Sequence, residues 1–449
     1  MAGFMTATSV LSMWISNTAT SAMMIPILEV VLKELEDPEV CPDEDEDVDA
    51  NSTDKDPEAL EREKIKAEKK RRNMRAMLAM AICFSANIGG TGTLIGTGSN
   101  VVLTEFLGEF PGNPVSFGSW MLFAVPQMLF CLVAAWLWLQ IYYIGFSCKT
   151  RSTESYERKK AKQKMQNAAV ARVIQKKYDE LGPITFHEGS VMVLFLTVLL
   201  LWFFEHPGFM TGWADGLATT NPFGHEVSID DATPTVLVML ALFFLPAKPY
   251  FLEIFKKDGK PLKSSPPLLD WKTAQDKVPW GIILLLGGGY ALAEASEQSC
   301  LSAWIGHQLT ALEGLADWII SLIGCVIANL MTQVASNAAS VSIVLPVMSE
   351  LALHLSINPL YLMIPPTLAC SYAFMLPIST GPNAIVFGPS GMTIMEMVKV
   401  GSVMNLICLG IVTLCMNTYG YILYDFGSFP QWAQESVTVN GTDVCASYY

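Results

Sequence analysis

Charge is scarce in this chain of 449 residues. Asp, Glu, Lys and Arg make up 16% of it, against 51% hydrophobic residues, and the mean hydropathy is positive. That balance excludes an ordinary soluble domain, in which about a quarter of residues are charged. Histidine is rarer still: His187, His206, His225, His307 and His354 show no metal-ligand spacing. The ten cysteines are scattered singly, most of them in apolar runs, with no Cys-x-x-Cys pair. They encode neither a disulfide framework nor a zinc site and read as small packing residues. The glycine-rich run "NIGGTGTLIGTGSN" at 87–100 lacks the Gly-Lys-Ser/Thr ending of a phosphate loop. No nucleophile motif stands out. Neither an enzyme nor a nucleic-acid-binding protein is expected.

The few charges that exist are segregated. All 28 Lys and Arg fall in three blocks, 33–75, 149–177 and 248–277, plus Lys399. Long basic-free apolar segments lie between them, the pattern of a polytopic membrane protein whose short basic loops face the cytoplasm. Crossings are expected at 76–107, 117–146, 191–204, 235–245 and 279–293, judged against the roughly 20 residues a helix needs to span a bilayer. Further apolar segments run over 318–355, 360–387 and 398–423. Lys399 marks the cytoplasmic end of the last helix, which puts the C-terminus outside.

Inside the first apolar segment sits a polar knot, "SNTATSAMMIP" at 16–26. It has a counterpart in "SNAASVSIVLP" at 336–346, and "TGSNVVL" from Thr97 has one in "TGPNAIV" from Thr380. Asn17 and Asn100 are 83 positions apart, Asn337 and Asn383 are 46 apart, and the difference of 37 matches a charged insert between about Glu36 and Asn73. The chain therefore carries an internal repeat.

A lone Ser-Asn step in a membrane helix is usually interhelical glue. Four elements in matched order and spacing point elsewhere. A polar step near the middle of an apolar segment breaks the helix or turns it back as a re-entrant hairpin, and the freed backbone groups must line a protein-enclosed cavity. Unwound carbonyls and side-chain oxygens suit a hard cation such as sodium, and half-helix N-termini suit an anion. Glycines at 87–100 let the backbone unwind and approach a ligand.

The segments "SMWISNTATSAMMIPI", "SANIGGTGTLIGTGSN" and "LPISTGPNAIVF" resemble the signature segments of the divalent-anion/sodium symporters, the sodium-coupled di- and tricarboxylate cotransporters. The resemblance runs over about residues 5–433 apart from the charged insert, and the first motif is closer to the carboxylate branch than to the sulfate branch. It implies an all-α polytopic membrane protein: an inverted-repeat, elevator-type homodimer with two re-entrant hairpins and two broken helices. It also implies two sodium sites. The first uses the carbonyl of Ser12, the side chains of Ser16 and Asn17 and the carbonyl of Gly96. The second uses the carbonyls of Thr332, Ala335 and Ser379 with the Asn337 side chain. A carboxylate substrate is implied between Asn17, Thr18, Asn337 and Thr380. Ala338 stands where a hydroxyl is usual, Ser99 where proline is common, and "STGPN" replaces a double-proline loop; these departures bear on substrate preference.

On this basis the chain divides into a first hairpin (1–35), a charged cytoplasmic insert (36–75) and a broken helix with its following helix (76–148). A cytoplasmic linker helix (149–185), scaffold helices (186–315), a second hairpin with broken and last helices (316–426) and an extracellular tail (427–449) complete it. The acidic half of the insert is too charged to fold. The basic stretch within 154–177 is expected either to lie along the membrane surface or to form a solvated linker helix. The expected function is sodium-coupled import of succinate- or citrate-like anions at the plasma membrane. Sulfate is the alternative substrate, and a non-transporting regulatory isoform is the alternative of another class. Three crossings precede the second Ser-Asn motif and none precedes the first. Residues 1–449 are therefore expected to be a fragment, a shortened isoform or a mispredicted start lacking N-terminal helices, and to transport little as they stand.

Two sequons check the topology. Asn440 in "NGT" is expected outside and glycosylated, Asn51 in "NST" cytoplasmic and bare. Mutating Asn440 should remove any glycan-dependent gel shift and mutating Asn51 should change nothing; a glycan on Asn51 inverts the topology.

Overall fold

The computed structural model describes residues 1–36, 57–108, 114–145, 178–205, 232–249, 265–278 and 314–433, with isolated positions between them. Residues 37–56, most of the linker at 146–177, most of the crossing expected at 279–293, and both sequons, Asn51 and Asn440, lie outside the described residues. The chain divides into two compact units: 1–114, 121–177 and 285–449 form one, 115–120 and 178–284 the other.

In the larger unit α1 (Ala2–Ser12) ends in a tight turn and α2 (Asn17–Glu36) begins at once. Ser16 makes the restart possible: its Oγ accepts from the Ala19 N–H at 3.3 Å, satisfying one of the orphan donors of a new helix. α3 (Pro57–Gly89) is two helices in chemistry. Its first part, to Arg75, is charged, and its last turns, from Met80 onward, are completely buried. It stops in glycines, passes through a 3-10 turn at Gly90–Gly92 and an irregular stretch, and restarts as the ten-residue α4 (Gly98–Leu107). α5 (Phe117–Ile144) follows, 28 residues long and apolar throughout.

The smaller unit holds α6 (Phe186–Phe203), α7 (Ala232–Phe244) and α8 (Trp271–Lys277). Thr185 and Glu188 form a capping box at the start of α6. Only Val198 of this helix is buried, and a helix apolar on every face is what a bilayer, not water, accommodates. α7 has 13 residues, about 20 Å of rise against a hydrocarbon core of about 30 Å. The Phe117 ring packs 5.5 Å from Trp202, and the N–H groups of Leu268 and Leu269 bond to the carbonyls of Leu245 and Leu242. A two-residue ladder, Thr219–Thr220 against Glu226–Val227, is the one sheet among the described residues.

The larger unit resumes with α9 (Asp317–Thr332), α10 (Asn337–His354), α11 (Pro359–Ser371), α12 (Gly381–Ser390) and α13 (Ile394–Cys415). The last continues through a π turn, Met416–Gly420, into Tyr421–Leu423. The order of α1–α5 thus recurs in α9–α13: a helix, a Ser-Asn turn, a helix with an internal proline (Pro26, Pro346), a third helix, a break, a ten-residue helix and a long one. Ser336 Oγ accepts from Ala339 N at 3.2 Å, as Ser16 does from Ala19. Among the described residues α5, α6, α10 and α13 with its extension are long and apolar enough to cross a membrane. Phe84, Tyr372 and Phe374, all fully buried, tie α3 to the break after α11, with the Phe84 and Phe374 rings 4.7 Å apart, and Gln127 of α5 donates to the Tyr372 hydroxyl at 2.7 Å. Arg72 pairs with Glu396 at 2.9 Å, an exposed contact worth at most about 1 kcal/mol.

Candidate functional site

The two breaks, 90–97 and 372–380, place backbone carbonyls in the middle of apolar helices, where no water satisfies them. Each break is closed by one asparagine from the short helix that follows. Asn100 Nδ2 donates to the carbonyl of Thr93 at 2.8 Å, with longer contacts to those of Thr91 and Gly90. Asn383 Nδ2 donates to the carbonyls of Ala373 at 2.7 Å and Leu376 at 2.8 Å. Both asparagines are fully buried. A buried polar group left without its partner costs about 1–3 kcal/mol, so these amides hold the breaks in shape.

The same correspondence holds at the hairpin tips. Ser12 Oγ lies 2.7 Å from both Asn17 Oδ1 and the carbonyl of Ala86. Thr332 Oγ1 lies 2.9 Å from Asn337 Oδ1 and 2.7 Å from the carbonyl of Cys370. In each half a hydroxyl, an amide oxygen and a carbonyl converge, five residues separating hydroxyl from amide. Thr93 Oγ1 donates to the Met13 carbonyl, and Ser379 Oγ donates to the Gln333 carbonyl at 2.6 Å, so each break is fastened to the tip of its own hairpin. The oxygens are all neutral, the donor set of a hard monovalent cation and not of a soft metal. No group of His, Cys, Asp or Glu able to hold a metal ion occurs among the described residues.

The short helices cross over to the other half. Gly381, first residue of α12, meets Thr18 of the first hairpin so closely that a Cβ there would fall on Thr18 Oγ1. Gly98, first residue of α4, faces Ala338 of the second hairpin, and a Cβ there would stand 3.5 Å from the Ala338 Cβ. Neither α4 nor α12 has a side chain bonded to its N-terminal N–H groups, whereas Ser16 and Ser336 cap α2 and α10. The uncapped ends carry orphan donors and a partial positive charge of about half a unit each. Asn87 joins the halves: it accepts from Asn17 Nδ2 at 3.5 Å and donates to Thr380 Oγ1 at 3.4 Å and Asn383 Oδ1 at 3.3 Å.

The residues singled out from the sequence therefore fall into two groups. Ser12, Asn17, Thr332, Asn337 and Ser379 join the two polar clusters, and Gly96 lies against the Met13 carbonyl, 3.0 Å from where its Cβ would be. Thr18 and Thr380 flank the N-terminus of α12. Ser16 is exposed and its hydroxyl is committed to capping α2; Ala335 is half-buried, its N–H bonded to the Met331 carbonyl at 3.0 Å. Asn87, Gln333 and the carbonyls of Ala86 and Cys370 were not singled out. An amide in the last turn of an apolar helix before a glycine run was the available signal for Asn87. The two carbonyls had none, because any residue supplies one.

The chain is similar to several known proteins. The family model described as "Sodium:sulfate symporter transmembrane region" matches residues 1–426. The Na(+)/citrate cotransporter of Rattus norvegicus is 39% identical over 448 residues, 96% of this chain and 77% of the relative. The Na(+)/dicarboxylate cotransporter 3 of Mus musculus is 40% identical over 461 residues, 96% of this chain and 75% of the relative. Solute carrier family 13 member 2 of Homo sapiens is 39% identical over 459 residues, 97% of this chain and 76% of the relative.

The crossed contacts give a paired test in solute uptake. Gly381→Ala should lower uptake at least tenfold with surface expression intact, because its Cβ displaces Thr18. Gly98→Ala, whose Cβ makes an ordinary contact with Ala338, should stay within about twofold of the parent. Equal effects of the two substitutions would remove Thr18 from the site.

Proposed function

The chain belongs to the sodium:sulfate symporter family, and from that premise we propose that it is a sodium-coupled symporter importing di- or tricarboxylates such as succinate and citrate across a membrane. The observation that carries this is the meeting of two uncapped helix N-termini with two neutral oxygen clusters at a site where no charged side chain takes part. The first sodium ion is held by the Ser12 and Gly96 carbonyls with Asn17 and Ser16, the second by the Thr332, Ala335 and Ser379 carbonyls with Asn337. The substrate lies between Asn17, Thr18, Asn337 and Thr380.

Charge decides the order of events. Two helix ends of about +0.5 each offset roughly one unit of charge. A dicarboxylate brings two, and a site sealed from water penalises the remainder heavily. Two sodium ions more than cover the deficit. Sodium therefore enters first, drawing Asn17 Oδ1 and Asn337 Oδ1 from the Ser12 and Thr332 hydroxyls, and the anion follows. The relatives named for citrate and dicarboxylates favour an elongated anion with a carboxylate at each short-helix N-terminus over the single tetrahedral centre of sulfate. In this mechanism the two five-helix sets are inverted repeats, α1–α2 and α9–α10 are re-entrant hairpins, and the set moves elevator-fashion within a homodimer. The plasma membrane is the site of action, with the C-terminus outside.

Replacing sodium by choline should abolish uptake of labelled succinate and citrate; uptake at the full rate without sodium overturns the coupling. Asn17→Ala and Asn337→Ala should each abolish uptake while surface labelling is unchanged, since each removes a ligating oxygen; parental kinetics in either variant removes that residue.

Ala338→Ser adds a hydroxyl beside Gly98, where the first hairpin has Thr18 beside Gly381. One extra hydrogen bond of about 1 kcal/mol should lower the half-saturating substrate concentration up to about fivefold without changing the sodium requirement. An unchanged concentration means position 338 does not face substrate.

A further inference from the structure

At the end of α13 remote from Lys399 two cavities share a wall. One, of about 330 Å³, is lined by Asp317, Trp318, Tyr361, Asn417, Tyr421 and Phe426 among others. The other, of about 450 Å³, is a groove between α9 and α13 lined by Trp318, Leu322, Gly410, Thr413, Leu414 and Asn417. Trp318 and Asn417 belong to both.

The first cavity has the chemistry of a cation box. Tyr361 and Phe426 stand edge to face with ring centroids 5.2 Å apart, and Tyr421 packs 6.2 Å from Phe426. Such faces attract an ammonium group, and Asp317 is the one acidic side chain in the lining. Tyr361 OH donates to Asn417 Oδ1 at 2.7 Å and Asn417 Nδ2 donates to the Thr413 carbonyl at 2.8 Å, so the amide is fixed. Asn417 lies in the π turn Met416–Gly420, a widened helical turn of the kind often found at functional sites. The first N–H groups of α9, at Asp317 and Trp318, precede the bonds that Ile319 and Ile320 make to the Ala316 carbonyl, and no side chain caps them. They are donors for an anionic oxygen beside the ammonium.

The second cavity has the chemistry of a hydrocarbon chain. From Trp318 the groove advances one turn along α9 to Leu322. From Asn417 it retreats about two turns along α13 to Gly410. Both directions lead from the helix ends toward their middles. Leu414 and Trp318 are substantially exposed on its rim, 64% and 48%.

An ammonium box with phosphate donors, opening into an apolar groove that runs inward, fits one occupant. We propose that this place binds a phospholipid with a cationic amino headgroup. The ammonium sits among Asp317, Trp318, Tyr361, Tyr421 and Phe426, the phosphate at the start of α9, and one acyl chain between α9 and α13. A soluble ammonium compound leaves the groove uncovered, and an anionic lipid places its headgroup against Asp317 without compensation. The far ends of α9 and α11 carry Thr332 and the Cys370 carbonyl of the second polar cluster, so the lipid clamps the helices that present it.

The test is native mass spectrometry of the detergent-purified full chain with equal concentrations of phosphatidylcholine and phosphatidylglycerol. The parent should retain phosphatidylcholine several-fold better. In Asp317→Asn that ratio should fall about fivefold, the scale of one lost interfacial charge contact, and Asp317→Glu should restore it. Trp318→Ala, which opens both cavities, should lower retention of both lipids. Leu137→Ala, at an exposed apolar position on α5, should change neither. Thermal unfolding of each variant in phosphatidylglycerol separates lost lipid from lost fold. Equal retention of the two lipids by the parent, an unchanged ratio in Asp317→Asn, or full displacement of phosphatidylcholine by millimolar free choline overturns the proposal.

Discussion

The satisfaction of two interrupted backbones inside an apolar medium is the constraint on which the rest depends. A helix that stops at Gly89 or Ser371 leaves carbonyls that lipid cannot hydrogen-bond, and every such group must find a protein partner or a ligand. Asn100 and Asn383 take up part of that demand, each spending its two N–H donors on the carbonyls of the preceding break. They thereby set the path of the chain and deliver α4 and α12 with uncapped N-termini. The threonines at their cap positions, Thr97 and Thr380, do not bond back to the first-turn N–H groups as Ser16 and Ser336 do. Leaving them open makes a polar ligand part of the fold.

Coupling between cation and anion follows from the crossed arrangement. Each break is fastened to its own hairpin through Thr93 or Ser379, while the helix it launches abuts the opposite hairpin at Thr18 or Ala338. A cation that draws Asn17 Oδ1 away from Ser12 alters the tip that Thr93 grips, and the Thr18 end of α2 that α12 touches. Asn87 makes the link direct, with contacts to Asn17 on one side and to Thr380 and Asn383 on the other. A shift at one cluster therefore reaches the anion-facing donors of both halves through packed, hydrogen-bonded groups.

The parts of this arrangement that repeat were legible in the sequence, and the parts that do not repeat were largely not. The matched spacing from Ser-Asn to Thr-Gly-x-Asn located both helix-turn-helix steps and both short helices, because the polar residues interrupt apolar periodicity at the same offsets. Ser12 and Thr332 entered through the resemblance as carbonyl donors, and the structure adds that their hydroxyls bond the amide oxygens of Asn17 and Asn337. Ser16 shows the limit of motif reading: a hydroxyl before a helix is as useful for capping as for ligation, and its bond to the Ala19 N–H shows the capping role without deciding the other. Asn87 was hidden because it has no counterpart in the repeat. Cys370 occupies the corresponding position and contributes its carbonyl instead. The bounds of α7 and α9 depart from the expected ones in opposite senses: α7 starts at Ala232, ahead of the apolar run at 235–245, while α9 ends at Thr332, well inside the apolar run at 318–355.

Among the described residues no basic side chain stands at the site, and this has a functional consequence. A resident arginine would bind a carboxylate bidentately and hold it whether or not sodium was present. Transport requires that affinity for the anion be conditional, because an anion bound equally well with and without sodium is not driven by the sodium gradient. Neutral oxygens cannot hold the anion, and helix ends worth about half a charge each cannot hold it alone. In the proposed mechanism they hold it once cations fill the clusters at Asn17 and Asn337, and release it when the cations leave. The same neutrality explains why the polar residues are serine, threonine and asparagine. Their oxygens suit sodium in the proposed sites, and they also satisfy one another, as the Ser12–Asn17 and Thr332–Asn337 bonds do. A site built of neutral oxygens carries no unpaired charge of its own, so in the proposed mechanism a return without cargo has little electrostatic cost.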